Sequence, residues 1–394
     1  MNITREDKNV AGPSAVVVLR CDSYAPDLVQ KCIEQGVNLL GGAGRFVQPG
    51  DRILLKPNLL NGKVPEKAVT THPAVFKAVA EVFRSKGAVL SYGDSPGFGR
   101  PAAVAQRSGL AEIAALLNIP LADFHTGRTV SFPEGHLCKQ FTIAQGALDA
   151  DGIISLPKLK THALTRITGA TKNQFGCVPG TLKGEFHGRF NKIARFSEML
   201  VDLTRFLMPR LYIMDGILSM EGNGPGNGTP RWTNLLLLST DPVALDAIVC
   251  QLIDLDPKLV PTIATGQEAG LGNYRETTLL GDPIAMCACP DFKVNRKPAL
   301  STDSVNRFLV PVMRRHMIPR PFIREDLCSR CGTCVQMCPV SPKAIDFRPT
   351  APAGPPQYDY QQCIRCYCCQ EICPDSAIEV ETPWLGKWLR NYGF

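Results

Sequence analysis

A chain of 394 residues is too long for a small redox module alone and is expected to form two or three domains. Hydrophobic residues make up 44 %, enough for a sizeable core, and no apolar run reaches the roughly eighteen residues of a membrane span. The net charge of +7 is modest, and without a basic face carrying aromatic or groove-reading elements it offers no nucleic-acid interface. The N-terminal MNITREDKNV lacks the apolar stretch of a Sec-type leader, so sixteen cysteines point to a reducing, cytoplasmic setting.

In chain order, AVVVLR at 15–20 reads as a buried strand, and Pro26 opens a helix carrying Leu28, Val29, Ile33, Val37 and Leu40. RILLK at 52–56 is a second strand, a helix spans about 73–86, and AVLSY is a third strand. Further strands are expected at 152–156, 211–214 and 235–239, with helices at 193–207 and from Pro242 to Ile253, the latter capped by Asp241. Apolar runs alternating with amphipathic helices predict an α/β fold with a mostly parallel sheet over residues 1–295, a substrate- or cofactor-binding domain. A basic, proline-containing linker follows at 296–321. Arg296, Arg307, Arg314, Arg315, Arg320 and Arg324 in and just beyond it form either a docking surface for an acidic redox partner or a solvated helix. A small α+β ferredoxin-like unit is placed at 322–381, interrupted by the stiff, polar insertion RPTAPAGPPQYDY. An aromatic tail at 382–394 carries Trp384 and Trp388 and is expected to pack on the large domain or a partner.

The ferredoxin unit is defined by two cysteine runs. Cys328, Cys331, Cys334 and Cys338-Pro339 follow C-x2-C-x2-C-x3-C-P, and Cys363, Cys366, Cys369 and Cys373-Pro374 repeat it. This is the bacterial two-cluster spacing, in which each run gives three thiolates to one [4Fe–4S] cluster and its fourth to the other. Cys328, Cys331, Cys334 and Cys373 are therefore expected to hold one cluster, and Cys363, Cys366, Cys369 and Cys338 the second. Structural zinc explains neither the third C-x2-C step nor the duplication. Cys368 falls outside the ligand spacing, and most of the remaining cysteines read as small buried hydrophobes.

In a parallel sheet, ligands bind beyond the carboxyl ends of the strands. Five loops are assigned there: Lys56-Pro57-Asn58, the 93–99 loop with Asp94, the 157–162 loop with Lys160 and His162, the 215–226 loop with Asp215 and Glu221, and Asp241. None of the glycine loops matches a nucleotide fingerprint. The stretch 156–191 is densest in polar residues, including Lys172 and Asn173, and reads as a long functional surface loop for a small anionic substrate or a further, unidentified cofactor. Asp215 and Glu221 are candidates for a divalent cation through oxygen ligands.

KPN at 56–58, TTHP at 70–73, GDSPGFG at 93–99, LPKLKTH…TGATKNQFGCVPG at 156–180, MDG…MEGNGPGNG at 214–228 and STDPVALDA at 239–247 together resemble the domain-of-unknown-function family numbered 362, often fused to a ferredoxin unit. The resemblance covers nearly the whole chain and implies an iron–sulfur protein. His162-x9-Lys172 followed by Pro179-Gly180 is also similar to a stretch of the nickel-pincer lactate racemase family, although ALTRITGAT replaces a more glycine-rich segment. That resemblance implies a cofactor-bearing role for Lys172 and acid–base work for His162. The expected function is an iron–sulfur oxidoreductase delivering low-potential electrons to a small anion in the α/β domain. The alternative is a non-catalytic electron carrier or maturation factor whose large domain docks a partner protein.

Overall fold

The computed structural model describes residues 13–298, 309–348 and 353–391. The N-terminal residues read for a leader, the middle of the linker with Arg307, residues 349–352 of the insertion and 392–394 of the tail lie outside the described residues.

The large domain opens with β1 (Ser14–Arg20), β2 (Arg52–Pro57) and β3 (Val89–Tyr92). A hairpin of β4 (Gly127–Ser131) and β5 (Gln140–Ala144) precedes β6 (Gly152–Leu156), β7 (Lys158–His162) and β8 (Arg166–Ile167). The long strands β9 (Leu211–Glu221) and β10 (Thr229–Ser239) follow, then β11 (Thr277–Gly281). One nine-stranded sheet has the order β11-β1-β10-β9-β6-β2-β3, with β7 also pairing β9 and β8 pairing β7. β10 runs antiparallel to both neighbours, and β8 to β7; the other pairings are parallel.

Two layers of helix cover this sheet. Along β1, Val17 and Leu19 face one core with Ile33, Phe76 and Phe83, while Val16 and Val18 face the other with Leu245, Ile248 and Phe292, as strand alternation requires. The helices Pro26–Leu39 and Pro73–Arg84 fill the first side, and Pro242–Leu252 the second. Asp241 caps the last of these, accepting from the N–H groups of Val243 and Ala244 at 2.8 and 3.0 Å. The helix Ile193–Leu207 closes a third apolar group with Phe141 and Phe175.

Three expectations change. The polar 157–162 stretch is strand β7, wholly buried, and 156–191 as a whole is mostly interior rather than a surface loop. The β7 lysines Lys158 and Lys160 tolerate burial because each meets a fixed polar partner, Asp215 for the first and Asn58 with the Val69 carbonyl for the second. Asp215 and Glu221 are not in a loop: β9 runs on through both because β10 pairs along nearly its whole length. Asp241 lies at the far edge of the sheet, since antiparallel β10 ends where β9 begins, at the Ser239–Tyr212 pair.

The ferredoxin unit pairs β12 (Arg320–Ile323) with a later strand and has a small ribbon of β13 (Ile345–Asp346) and β14 (Gln357–Tyr358). The partner of β12 is β15 (Ile378–Glu381). Its core, including Cys334, Cys338, Ile345, Cys363, Cys369 and Ile378, is separate from those of the large domain. The end of the proline-rich insertion is not free: it supplies β14, and Pro356 is buried. The two units meet through polar contacts. Gln370 Nε2 donates to the carbonyls of Asn223 and Gly224 at 2.8 and 3.2 Å, Asn227 Nδ2 donates to the Gln370 carbonyl at 2.6 Å, and Asn223 Nδ2 donates to the Ile378 carbonyl at 3.1 Å. Most of the basic stretch is engaged within the chain. Arg296 donates to the Asp254, Pro290 and Phe292 carbonyls, Arg314 to that of Cys363, and Arg320 and Arg324 pair with Glu381 and Glu379. In the tail, the helix Trp384–Asn391 packs Gly386 against Met317, leaving Trp384 71 % exposed rather than packed.

Candidate functional site

The carboxyl ends of β2, β3, β6 and β7 gather one buried polar network. Lys56, at the end of β2, donates from Nζ to Asp94 Oδ1 at 2.8 Å, to the Pro57 carbonyl at 3.1 Å and to Asn173 Oδ1 at 3.4 Å. The other Asp94 oxygen accepts from the Leu59 N–H at 2.7 Å. Asn58 bridges, giving Nδ2–H to Asn173 Oδ1 at 3.2 Å while its Oδ1 accepts from Lys160 Nζ at 2.8 Å. The Lys56–Asp94 pair is almost fully buried, so removing either partner costs about 3–5 kcal/mol. Gly176 is needed here by contact alone: a Cβ on it would sit 1.7 Å from Asp94 Oδ1.

Lys172 and Asn173 ride on the short helix Gly169–Asn173. Its first N–H groups, from Ala170 and Thr171, donate to the Asp246 carboxylate at 2.6 and 3.2 Å. Gly169 has φ +64°, and a Cβ there would approach Asp246 Oδ1 to 2.5 Å. Asp246, in the STDPVALDA segment, thus fixes the helix that carries Lys172. Burial raises the Asp246 carboxyl to about 7 despite those N–H bonds.

A cavity of about 80 Å³ opens between the two units. On the same measure a water needs about 10–15 Å³, so the space suits a ligand of a few heavy atoms. Asn58, Asp94, Lys160, Lys172, Asn173, Phe175 and Lys183 line it from the large domain, and Met337, Cys368, Glu371 and Ile372 from the ferredoxin unit. Lys172 is 9 % exposed; among the described residues its Nζ makes no hydrogen bond or ion pair, and it lies 5.9 Å from the centre of the Phe175 ring. Lys183 Nζ donates to Ser95 Oγ at 2.6 Å and the Val178 carbonyl at 3.0 Å, and burial lowers it to about 8. Burial, reinforced by the charges of Lys172 and Lys158, holds Lys160 well below the ordinary lysine range. With Lys56 paired to Asp94, Glu371 alone stands against three lining lysines. An anion in the cavity would relieve all three.

His162 is not in the cavity wall. Its Nδ1 accepts from the N–H groups of Leu164 and Thr165 at 3.0 and 3.2 Å, which leaves the ring proton on Nε2, 2.8 Å from Glu371 Oε1. That approach is short but poorly aligned, and neither atom has another hydrogen-bond partner. Burial, with the charge of Lys172, lowers His162 to about 4, so the imidazole is neutral. Burial opposes ionisation of Glu371, but Lys172 and His162 outweigh it and hold the carboxylate charged. His162 thus positions Glu371, while His187 supplies the imidazole in the wall.

Asp215 and Glu221 do not form a cation site. Six residues apart on a strand, they are separated by roughly 20 Å. Asp215 accepts from Lys158 Nζ at 2.7 Å, Tyr24 Oη at 2.8 Å and the His72 N–H at 2.9 Å. Glu221 pairs with Arg231 at 3.3 Å and accepts from the Lys293 N–H at 2.9 Å.

Residues 53–251, just over half of the chain, match the family described as domain of unknown function, DUF362. The chain belongs to the DUF362 family. Residues 320–374 match a 4Fe-4S dicluster domain. The DUF362 chain is 42 % identical over 260 residues to a thylakoid-associated protein of Synechocystis, covering 65 % of this chain and 80 % of that one. A weaker structural likeness, with TM-score 0.39 and 12 % identity, is to the lactate racemase apoprotein of Thermoanaerobacterium thermosaccharolyticum; it covers 63 % of this chain and 58 % of that structure. Among the described residues no helix is long and apolar enough to cross a membrane.

The cysteines of the DUF362 chain's dicluster domain collect in two sets. Cys328, Cys331, Cys334 and Cys373 surround one small hollow, bringing the last cysteine of the second run to the first three of the first. Cys363 lies near Cys366 and Cys338, and Cys369 near Cys366 and Cys363, with Cys334 of the first set also close to Cys369. None is disulfide-bonded, so each set offers four thiols to a [4Fe–4S] cluster. Arg330 and Arg365, between ligand positions, and Tyr367 adopt positive φ, the bend that turns successive sulfurs inward.

Glu371, Lys183, Cys368 and Met337 were not on the sequence-derived list. Glu371 carried one usable signal: a carboxylate in CCQEIC, a segment otherwise built for burial. Lys183 lies within the polar 156–191 stretch, whereas Cys368 and Met337 become visible only once the two units are brought together.

Proposed function

We propose that this DUF362 protein is an iron–sulfur oxidoreductase that reduces a small anion held between its two units. When bound, the two clusters supply one-electron carriers of low potential. The observation that carries this reading is Lys172, a buried lysine that makes no hydrogen bond or ion pair among the described residues. It shares the Glu371 carboxylate with Lys160 and Lys183, and it faces a cavity whose opposite wall is built from residues flanking the cluster ligands. An excess of buried positive charge is costly, and an anionic ligand is the simplest compensation. Lys172 and Lys183 would take the anionic group, Asn58 and Asn173 would orient it, and Phe175, Leu60, Met337 and Ile372 would cover its apolar part. The volume favours a small carboxylate or oxyanion over a nucleotide. A reducing compartment suits the eight cluster cysteines.

The test is the small-molecule content of anaerobically purified protein. Lys172→Met keeps much of the stem and removes the charge. Losing a charge-assisted contact costs about 1.5–3 kcal/mol, or roughly ten- to a hundredfold in affinity. The variant is expected to keep both cluster spectra and lose the copurifying anion. If it retains ligand and electron-transfer activity at wild-type levels, the carrier alternative is the better account.

A further inference from the structure

The two cysteine sets sit in different surroundings. Cys331 is exposed and Cys328 partly so, and the hollow they share with Cys334 and Cys373 has no residue in common with the ligand cavity. The other set has no fully exposed cysteine, only Cys366 being partly so, and it contributes more of the cavity wall. Met337 precedes Cys338, and Cys368 lies between Cys366 and Cys369, whereas the first, outer set reaches the wall only through Ile372 before Cys373. Pro339, next after Cys338, comes within 3.9 Å of a Cβ placed on Gly184 or Gly188 of the large domain.

Each set has a hydroxyl beside one sulfur. In the outer set Thr333 Oγ1 lies 3.3 Å from Cys331 Sγ, at the exposed cysteine, with either atom able to donate. In the inner set Tyr358, on β14, donates its hydroxyl to the buried Cys369 Sγ at 3.2 Å. Its ring is held by a stack on Tyr360, with centroids 5.4 Å apart and planes 14° off parallel. Tyr360 is itself fixed, its hydroxyl donating to the Pro321 carbonyl at 2.9 Å under the Arg320 guanidinium, 4.5 Å from the ring centre. The hydroxyl is therefore locked onto the sulfur rather than free to turn to water. A hydrogen bond to a ligand sulfur favours the more negative, reduced state of the cluster and so raises its potential.

We propose that the two sets have separate tasks. The Cys328 set receives electrons at the surface from a one-electron carrier protein. The Cys363 set, poised by Tyr358, is the exit to the cavity. Each passage moves one electron: the carrier is oxidised by one and the cavity ligand reduced by one. The nature of the acceptor rests on the function proposed above; the order of the two sets and the role of Tyr358 do not.

The experiment is an EPR-monitored redox titration of the full, cluster-loaded chain. Tyr358→Phe keeps the stack and removes the donor, and it is expected to lower the midpoint of one cluster while leaving the other in place. Lys172→Met, compared with the parent in ligand-free protein so that only a cation is removed from the cavity wall, is expected to lower the same midpoint, and serves if the Tyr358 variant loads poorly. A water-soluble dysprosium chelate should broaden the signal of the unshifted cluster and spare the shifted one. The proposal is overturned if Tyr358→Phe moves both midpoints equally or neither, or if the chelate reaches the shifted cluster as strongly as the other. Failure of the anion-reduction reading looks different: no retained ligand, with these shifts intact.

Discussion

His187 shows how far a single side chain can tie this protein to pH. Its ring stacks on Phe196 at 4.3 Å and meets Phe175 edge-on, and burial pushes its pKa down to about 3. An unfolded histidine titrates near 6.5. Between those values the unfolded chain binds a proton that the folded chain refuses. The contribution is therefore complete above about pH 6.5 and is lost as pH falls toward 3, by about 1.4 kcal/mol for each unit crossed. His162, lowered to about 4, acts in the same direction. His187→Phe keeps the aromatic packing and cannot be protonated. It should flatten the decline in denaturant-unfolding stability between pH 7 and pH 5, leaving only the part due to His162 and other groups. An unchanged slope would mean that His187 is solvated in the native state.

At the scale of elements, the parallel strands and their helices were legible because their signals are local. Ile53-Leu54-Leu55 within RILLK is an unbroken apolar run, as a strand buried on both faces requires, and Ile193–Leu207 repeats at helical spacing. β7 was not legible, because KLKTH is buried only by virtue of distant partners: Asp215 for Lys158, Asn58 and the Val69 carbonyl for Lys160. β9 was cut short for the opposite reason. Met214-Asp215-Gly216 carries a turn-like signal, which the pairing with β10 overrides. The Gly169–Asn173 helix is too short to announce itself and exists through its Asp246 cap. Gly169→Ala is accordingly expected to lose about 1–3 kcal/mol, from strain at positive φ and collision with the carboxylate. It should weaken ligand retention with the clusters unaffected. Full retention and stability would show that the helix does not depend on this cap.

At the scale of the whole molecule, the two units have separate cores and meet at a polar seam. The expected linker begins engaged with the large domain: Arg296 ties the carbonyls of Asp254, Pro290 and Phe292 together, and the Lys297 carbonyl accepts from Arg166. A fragment ending at 298 should melt cooperatively yet retain no anion, having lost the Met337, Cys368 and Glu371 wall. An insoluble fragment from a soluble parent would reveal a shared core. The seam also explains what sequence reasoning found and missed in the site. Lys56, Asn58, Asp94, Lys160, Lys172 and Asn173 stand in recognisable motifs and converge, whereas the opposite wall lies in a segment whose cysteines account for it without any second task.

Glu371 and Ile372 sit between Cys369 and Cys373, which belong to different cysteine sets. Two residues of the cavity wall are thus strung like a bridge between two anchor points, one on each cysteine set. The bridge is also moored from the large domain, by Asn223 and Asn227 at Gln370 and by Asn61 at the Glu371 carbonyl. A shift of the sulfurs on either side is therefore handed on to the wall that Lys172 faces.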